Sequence, residues 1–249
     1  MKEKLDFVSW DSNLLDKPVF EINYENQLDH HNISILDKEC QEKKTFMTFL
    51  KIKNADIATI HFLESLDFNY MESQFKIMKN MKGLLENNIY NRFFDLKKID
   101  GYNKSEISSI LRIINTTFTT DRYHLDPQIP RQKSNKRYEN WFLNALNNEK
   151  YTTFIYQNKK NNEIYGFLMV KEEEGGIYLG LGGVNENYKG YGIYTNLLTD
   201  YLNYAYSIGQ KKFQTYISSH NIAVFNIYIY FGFHITEETI VMRKIYEKH

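Results

Sequence analysis

Residues 185–198, NENYKGYGIYTNLL, set Gly190 and Gly192 between a strand-like run, GIYLGLGGV, and a leucine-bearing helical pattern. A strand that enters a helix through glycines leaves backbone N–H groups unpaired at the positive end of the helix dipole, where they hold a phosphate or pyrophosphate. A tight connection with no ligand needs the same glycines, and the turn alone does not separate the two readings. Downstream, NIAVFNIYIYFGF spaces Asn221 as a helix N-cap, Val224, Phe225 and Tyr228 on one helical face, and Gly232 as the stop before a last strand. By itself this reads as a capped core helix. A third stretch, TTDRYHLDPQIPRQK, carries Arg122, Tyr123, His124 and Asp126 beside Pro127 and Pro130. It predicts a long loop, and long loops in compact domains are commonly functional.

The elements that must hold these residues follow from hydrophobic period. YTTFIYQ, EIYGFLMVKE and GIYLGLGGV predict three strands, the last two joined as a hairpin through EEGG. After the glycine turn comes a helix with a stripe at Tyr194, Leu197, Leu198, Tyr201, Leu202 and Ala205, then the strands KFQTYIS and FHITEETIVMRKIY on either side of the Asn221 helix. Earlier, Asn103 with Glu106 predicts a capping pair for a helix with a stripe at Ile107, Ile110, Leu111, Ile114 and Phe118, and NKRYENWFLNAL predicts another helix. LDFVSW, VFEINY, TFMTFLKI, FNYMESQFKIMK and NRFFDLKKI read as strands, and Ile57, Ile60 and Leu63 are at helical spacing. The polar run NMKGLLENN predicts a boundary near residue 85. The expectation is a small α/β domain over residues 1–85 and a larger α+β domain over residues 86–249.

With 249 residues, 42% of them apolar, the chain is long enough for a substantial core. Lys+Arg and Asp+Glu are equal at 31 each, which points away from nucleic acid and anionic membranes and toward a small polar ligand. Cys40 is the single cysteine, so neither a disulfide framework nor a cysteine metal cluster is expected. His30 and His31 are adjacent and poorly placed to share a metal. No stretch approaches the roughly 20 apolar residues of a membrane span, and the start lacks a signal-like apolar region, so the default compartment is the cytoplasm. A dinucleotide site would want its glycine turn in the first βα unit; this one comes late, after a hairpin.

The turn resembles motif A of the GCN5-related N-acetyltransferases, Q/R-x-x-G-x-G/A after a strand ending in Val. Here Val184 ends the strand, Lys189 stands at the Q/R position, Gly192 at the central glycine, and Tyr194 where a second Gly or Ala is usual. NIAVFNIYIYFGF is similar to that family's N-x-x-A-x-x-x-Y-x-x-x-G-F, with Val224 for Ala. The resemblance implies a mixed, mainly antiparallel twisted sheet flanked by helices, with acetyl-CoA as acyl donor. It implies that a splayed strand at Leu181, Gly182, Gly183 and Val184 offers backbone N–H groups to the acetyl carbonyl and pantetheine arm. Lys189, Gly190, Tyr191, Gly192, Ile193, Tyr194 and Asn221 would hold the rest of the coenzyme. A bulge is expected at Gly182-Gly183. In such a transfer a neutral amine attacks the thioester, the oxyanion needs fixed donors, and the departing thiolate needs a proton. Tyr228 falls at the family's acid position, and a phenol with a pKa of about 10 is protonated at neutral pH.

Trp10-Asp11-Ser12, Arg122-Tyr123-x-x-Asp126 and Tyr138-x-x-Trp141 are similar to patterns of the dTDP-fucosamine (dTDP-4-amino-4,6-dideoxygalactose) acetyltransferase group. That likeness implies an amino-deoxysugar nucleotide as substrate and a homodimer. Arg122 would pair with the diphosphate, Asp126 would orient sugar hydroxyls or the amine, Tyr123 and His124 would share the substrate loop, and Glu72 would take the amine proton. As ordinary charges, Arg122, Asp126 and Glu72 would simply face solvent. Two other functions fit the same motifs: an acetyltransferase for another small amine or a protein N-terminus, and a catalytically silent acetyl-CoA-binding module.

Overall fold

A computed structural model describes residues 3–24, 28–53, 57–86, 92–101 and 103–246. The first segment contains β1 (Lys4–Phe7), α1 (Ser9–Leu15), β2 (Val19–Asn23), α2 (His30–Glu42), β3 (Met47–Lys53), α3 (Ile57–Ser65) and β4 (Asn69–Asn80). Then come β5 (Phe94–Lys98), α4 (Lys104–Thr117), α5 (Arg122–Leu125), α6 (Arg131–Leu146), β6 (Tyr151–Asn158), β7 (Ile164–Glu173) and β8 (Gly176–Val184). The chain closes with α7 (Ile193–Ser207), β9 (Lys212–Ser218), α8 (Ile222–Tyr230) and β10 (His234–Ile245).

The described strands form one ten-stranded sheet in the order β1-β2-β3-β10-β4-β9-β8-β7-β6-β5. Only the β2–β3 and β8–β9 pairs are parallel, so the mixed, mainly antiparallel α/β architecture implied by the sequence is the one observed. The last strand lies between β3 and β4, with Ile240 opposite both Ile52 and Ser73. The boundary expected near residue 85 falls between β4 and β5, and residues 87–91 of that connection lie outside the described residues.

Helices cover both faces because the strands carry apolar side chains on both. Leu197, Leu198, Tyr201 and Leu202 of α7 and Tyr228 of α8 pack with Leu168, Leu179 and Phe213 on one face. Ile110, Ile113 and Ile114 of α4 and Phe142 of α6 pack with Ile155, Phe167 and Met169 on the other. The α4 stripe is as expected except that Ile113 joins its buried core. At about 25 cal/mol per Å² of apolar area, each fully buried aliphatic or aromatic side chain here contributes on the order of 1.5–3 kcal/mol before conformational entropy is subtracted.

Three local expectations are corrected. The VSW of the first strand-like run instead leads into α1, where Asp11 and Ser12 are buried. A helical turn satisfies both, because Ser12 Oγ accepts from the Val19 N–H at 2.9 Å while Asp11 reaches Arg137. The expected loop around Arg122 contains the one-turn α5, because Asp121 caps it by accepting from the Tyr123 and His124 N–H groups. Asn103 caps α4 through the Ser105 and Glu106 N–H groups, yet Glu106 does not complete the box; its carboxylate accepts from Lys97 Nζ at 2.8 Å.

Candidate active site

The parallel pairing of β8 with β9 is confined to Ile177–Phe213 and Tyr178–Gln214. The Thr215 hydroxyl donates to the Leu179 carbonyl at 2.6 Å, and beyond that point the two strands diverge into a fork. A bulge sits at its root. Against β7, β8 moves three residues, Gly182 to Leu179, while β7 moves two, Leu168 to Val170. The extra residue is therefore at Gly180–Leu181, not at the Gly182-Gly183 pair as expected. Gly180 permits it, since a methyl group there would stand 3.1 Å from the Met169 carbonyl oxygen. A bulge exchanges the faces of all residues beyond it. Accordingly Ile177 and Leu179 pack on the α7 side, whereas Leu181 joins the α4 side. Gly182 then faces Tyr194 of α7, and Gly183 faces Ile113 and Thr117 of α4. The Thr117 hydroxyl donates to the Val184 carbonyl at 3.2 Å, anchoring the strand end from the α4 side.

From Val184 the chain makes the glycine turn. Gly190 and Gly192 take the left-handed φ values 84° and 73° that favour glycine. Gly192 is the N-cap of α7, no side chain caps that helix, and a methyl group at Gly190 would meet nothing. This is an open cradle of backbone donors at a helix N-terminus, the arrangement that suits a pyrophosphate. Lys189 Nζ donates to the Thr116 carbonyl at 2.9 Å, tying the turn to the negative end of α4. Tyr191 is exposed and Ile193 is a core residue, so the latter offers only its backbone to a ligand.

Tyr228 is held from both ends of its helix. Asn221 caps α8 by accepting from the Val224 N–H at 3.3 Å. At the other end the Gly232 N–H reaches the Ile229 carbonyl and the Phe233 N–H the Tyr228 carbonyl, the double closure for which Gly232, at φ 77°, supplies the left-handed residue. The Tyr228 ring stands edge-on to Phe233 with centroids 4.9 Å apart, and its hydroxyl is 3.0 Å from that of Tyr194. Burial, reinforced by Tyr194, pushes the Tyr228 phenol well above its usual range, so it is fully protonated at neutral pH.

The Glu72, Arg122, Tyr123 and Asp126 side chains are largely buried and each has a protein partner, and the last three line one small pocket with Arg243 of β10. Arg122 donates to Glu72 Oε1 at 2.8 Å, and so does the Gln74 amide, while Glu72 Oε2 is buried with no hydrogen-bond partner among the described residues. Burial opposes the Arg122 charge, but Tyr123 and Glu72 outweigh it and hold the guanidinium above its ordinary value. Tyr123 donates to Asp11 Oδ2, and Arg137 to Asp11 Oδ1, both at 2.9 Å. Asp126 is gripped by two bonds from Arg243 at 2.7 and 2.8 Å. His124 sits between Asp121 and Asn135. Burial works against its charged form, and those two hydrogen bonds raise it above the usual 6.5. The His220 ring meets the Met71 carbonyl at 3.0 Å.

Sequence reasoning missed Arg137, Arg243 and Gln74, which the fold brings to the carboxylates; their only sequence signal is that buried acids require partners. A separate polar cavity of about 500 Å³ runs beside α4 past Lys97, Arg112 and Asn185, and contains none of the expected site residues. Among the described residues no group of three or more His, Cys, Asp and Glu is placed to hold a metal, and no helix is long and apolar enough to cross a membrane.

Comparison with known proteins agrees with this geometry. The profile described as "Acetyltransferase (GNAT) family" matches residues 109–233, half of the chain. The spore coat polysaccharide biosynthesis protein SpsD of Bacillus subtilis (strain 168) is 21% identical over 232 residues, 90% of this chain and 76% of that protein. A GCN5-related N-acetyltransferase from Sphaerobacter thermophilus superposes with a TM-score of 0.70 at 10% identity, over 98% of this chain and 76% of its own. A functionally unknown conserved protein from Staphylococcus epidermidis ATCC 12228 superposes with a TM-score of 0.68 at 10% identity, over 98% and 91% of the two chains.

Proposed function

We propose, from the premise that the chain belongs to the acetyltransferase (GNAT) family and is an acetyl-CoA-dependent N-acetyltransferase, that its acceptor is the amine of an amino-deoxysugar nucleotide. The observation that carries the acceptor side is Glu72. Two donors hold its Oε1, and its Oε2 is buried without a partner. It lies on β4 just past Gln74, which is opposite Ser218 at the end of β9, the strand that bounds the fork. A carboxylate fixed in this way is suited to take a proton from the acceptor's ammonium group, so that the neutral amine can attack. The likeness to a polysaccharide biosynthesis protein across 90% of the chain supports a sugar acceptor.

In this reading the glycine turn holds the coenzyme pyrophosphate, and the N–H groups of β8 beyond the fork hold the acetyl oxygen as it becomes an oxyanion. The amine attacks directly in a ternary complex, and the sulfur leaves with a proton supplied by Tyr228. Arg122 acts by holding Glu72, and the loop from Asp121 to Asp126 forms a wall of the acceptor site. Residues 1–85, joined by the Asp121–Asp126 loop, serve as the acceptor-side unit and the rest of residues 86–249 as the transferase unit.

The test is free-thiol release from acetyl-CoA with dTDP- and UDP-linked amino-deoxysugars added singly. Release with one or a few of them supports the reading and identifies the acceptor. Silence across the panel, with acetyl-CoA binding measured by calorimetry, rejects the sugar nucleotide and directs the search to other small amines or protein N-termini.

A further inference from the structure

We propose that the proton reaching the leaving thiolate passes through Tyr194: its hydroxyl touches the sulfur, and Tyr228 resupplies it from behind. This rests on the acetyl-transfer reading and adds a second tyrosine to it, at a position where the family pattern has a small residue.

Three observations order the two phenols. The bulge in β8 turns Gly182 toward α7, where a methyl group built on it would stand 2.8 Å from both the ring edge and the hydroxyl of Tyr194. The Tyr194 hydroxyl therefore lies directly on the strand beyond the fork, where the acetyl group is to be held. Tyr228 is 2% exposed, whereas Tyr194 is half-buried. Finally, Tyr194 is the one hydrogen-bond partner recorded for the Tyr228 hydroxyl among the described residues, at 3.0 Å. A group arriving in the fork meets Tyr194 first. One hydroxyl can accept and donate together, so Tyr194 can accept from Tyr228 while donating to sulfur.

Burial pushes both phenols above their ordinary value, so both are protonated at neutral pH and the pair has a proton to give.

The step balances. The carbon–sulfur bond of the tetrahedral intermediate breaks, its electron pair stays on sulfur, and sulfur takes the Tyr194 proton as the Tyr194 oxygen draws on that of Tyr228. The pair is left one proton short, with the remaining proton between two phenolic oxygens. The proton shed by the amine, carried by water, restores the pair before the next turnover.

The first test needs no acceptor. Coenzyme A and its desulfo analogue are bound by calorimetry to the wild type, Tyr194→Phe and Tyr228→Phe. The wild type is expected to favour coenzyme A by a few-fold to about tenfold, as one net hydrogen bond to its sulfur provides. Tyr194→Phe should lose that preference without weaker binding of the desulfo analogue, and Tyr228→Phe should keep most of it. Preference retained in Tyr194→Phe overturns the proposal. If Tyr194→Phe fails to fold, Gly182→Ala displaces the ring with its hydroxyl intact, and retained preference there overturns the proposal equally.

Turnover with the best acceptor of the sugar-nucleotide panel then separates this inference from the reading beneath it. Each single Phe variant should lower kcat by about 10²-fold with KM for acetyl-CoA within about twofold, and the double variant should be no slower than either. A Tyr194→Phe enzyme within about twofold of wild type beside a slow Tyr228→Phe enzyme sinks the relay and leaves Tyr228 as the direct acid. An unimpaired Tyr228→Phe enzyme removes the acid role from both.

Discussion

The two sides of the site are built on opposite physical plans. At the fork the protein leaves backbone donors unsatisfied: β8 parts from β9, two glycines hold left-handed φ, and α7 begins without a side-chain cap. In the network around Glu72 nearly every charge is already paired, Arg122 with Glu72, Asp11 with Arg137, and Asp126 with Arg243. An open set of amides can receive a pyrophosphate that brings its own charge. A buried set of charges has to be closed within the protein, since an unpaired buried charge costs far more than an unpaired surface amide. Substitutions at the fork are therefore expected to cost function with little loss of stability, and substitutions in the network to cost stability first.

Arg122→Ala should show the largest effect. It leaves Glu72 buried without its guanidinium, and breaking a buried pair in this way costs about 3–5 kcal/mol, read as a lower urea midpoint. A variant that unfolds at the wild-type midpoint would show that the network is wetter than its burial indicates. Tyr228→Phe inverts the pattern: about a 10²-fold loss of turnover, with stability changed by only about 1 kcal/mol, the net worth of one neutral hydrogen bond. If its stability falls as far as that of Arg122→Ala, the contrast between the two sides is broken.

Gly192→Val tests the cradle. A Cβ there meets no atom nearer than 3.8 Å, so the main cost comes from holding a branched residue at φ 73°. That strain is on the order of 1–2 kcal/mol, and acetyl-CoA binding should weaken by at least about tenfold. Unchanged coenzyme affinity would remove the turn from the pyrophosphate site.

The smallest expected effect is a pH slope. His124 is raised above 6.5, so its stabilisation is complete below that value and is lost as pH rises through its folded pKa. Asp121 is lowered below 3.8; burial works against this, and the hydrogen bond to His124 outweighs it. Its contribution is complete above 3.8 and is lost as pH falls through its folded pKa. The unfolding temperature should decline on the alkaline side, and His124→Gln should flatten that limb and weaken the acid limb as well, because Asp121 loses its partner.

Much of the fork was legible along the chain. The glycine turn, the strand before it, the α7 stripe and the span from Asn221 to Gly232 are local patterns, governed by backbone conformation and by periods of two and 3.6 residues. The even alternation of β8 was legible too, and misleading, because an inserted residue at Gly180–Leu181 changes faces without disturbing the apparent pattern. No propensity distinguishes Val8-Ser9-Trp10 as a strand end from the same residues leading into a helical turn; the choice follows from Arg137 and Tyr123, far away in sequence, which hold Asp11.

By itself the sequence determined the fold class, the glycine turn and the two helix ends that fix Tyr228; the turn and the helix ends depend on residues within about one or two turns of each other. Only the tertiary structure decided that Arg122 and Asp126 pair with Glu72 and Arg243, and that Tyr194 lies between Gly182 and Tyr228. Those contacts depend on sheet order and on a one-residue bulge, and a buried charge or hydroxyl takes whichever partner that topology brings within about 3 Å.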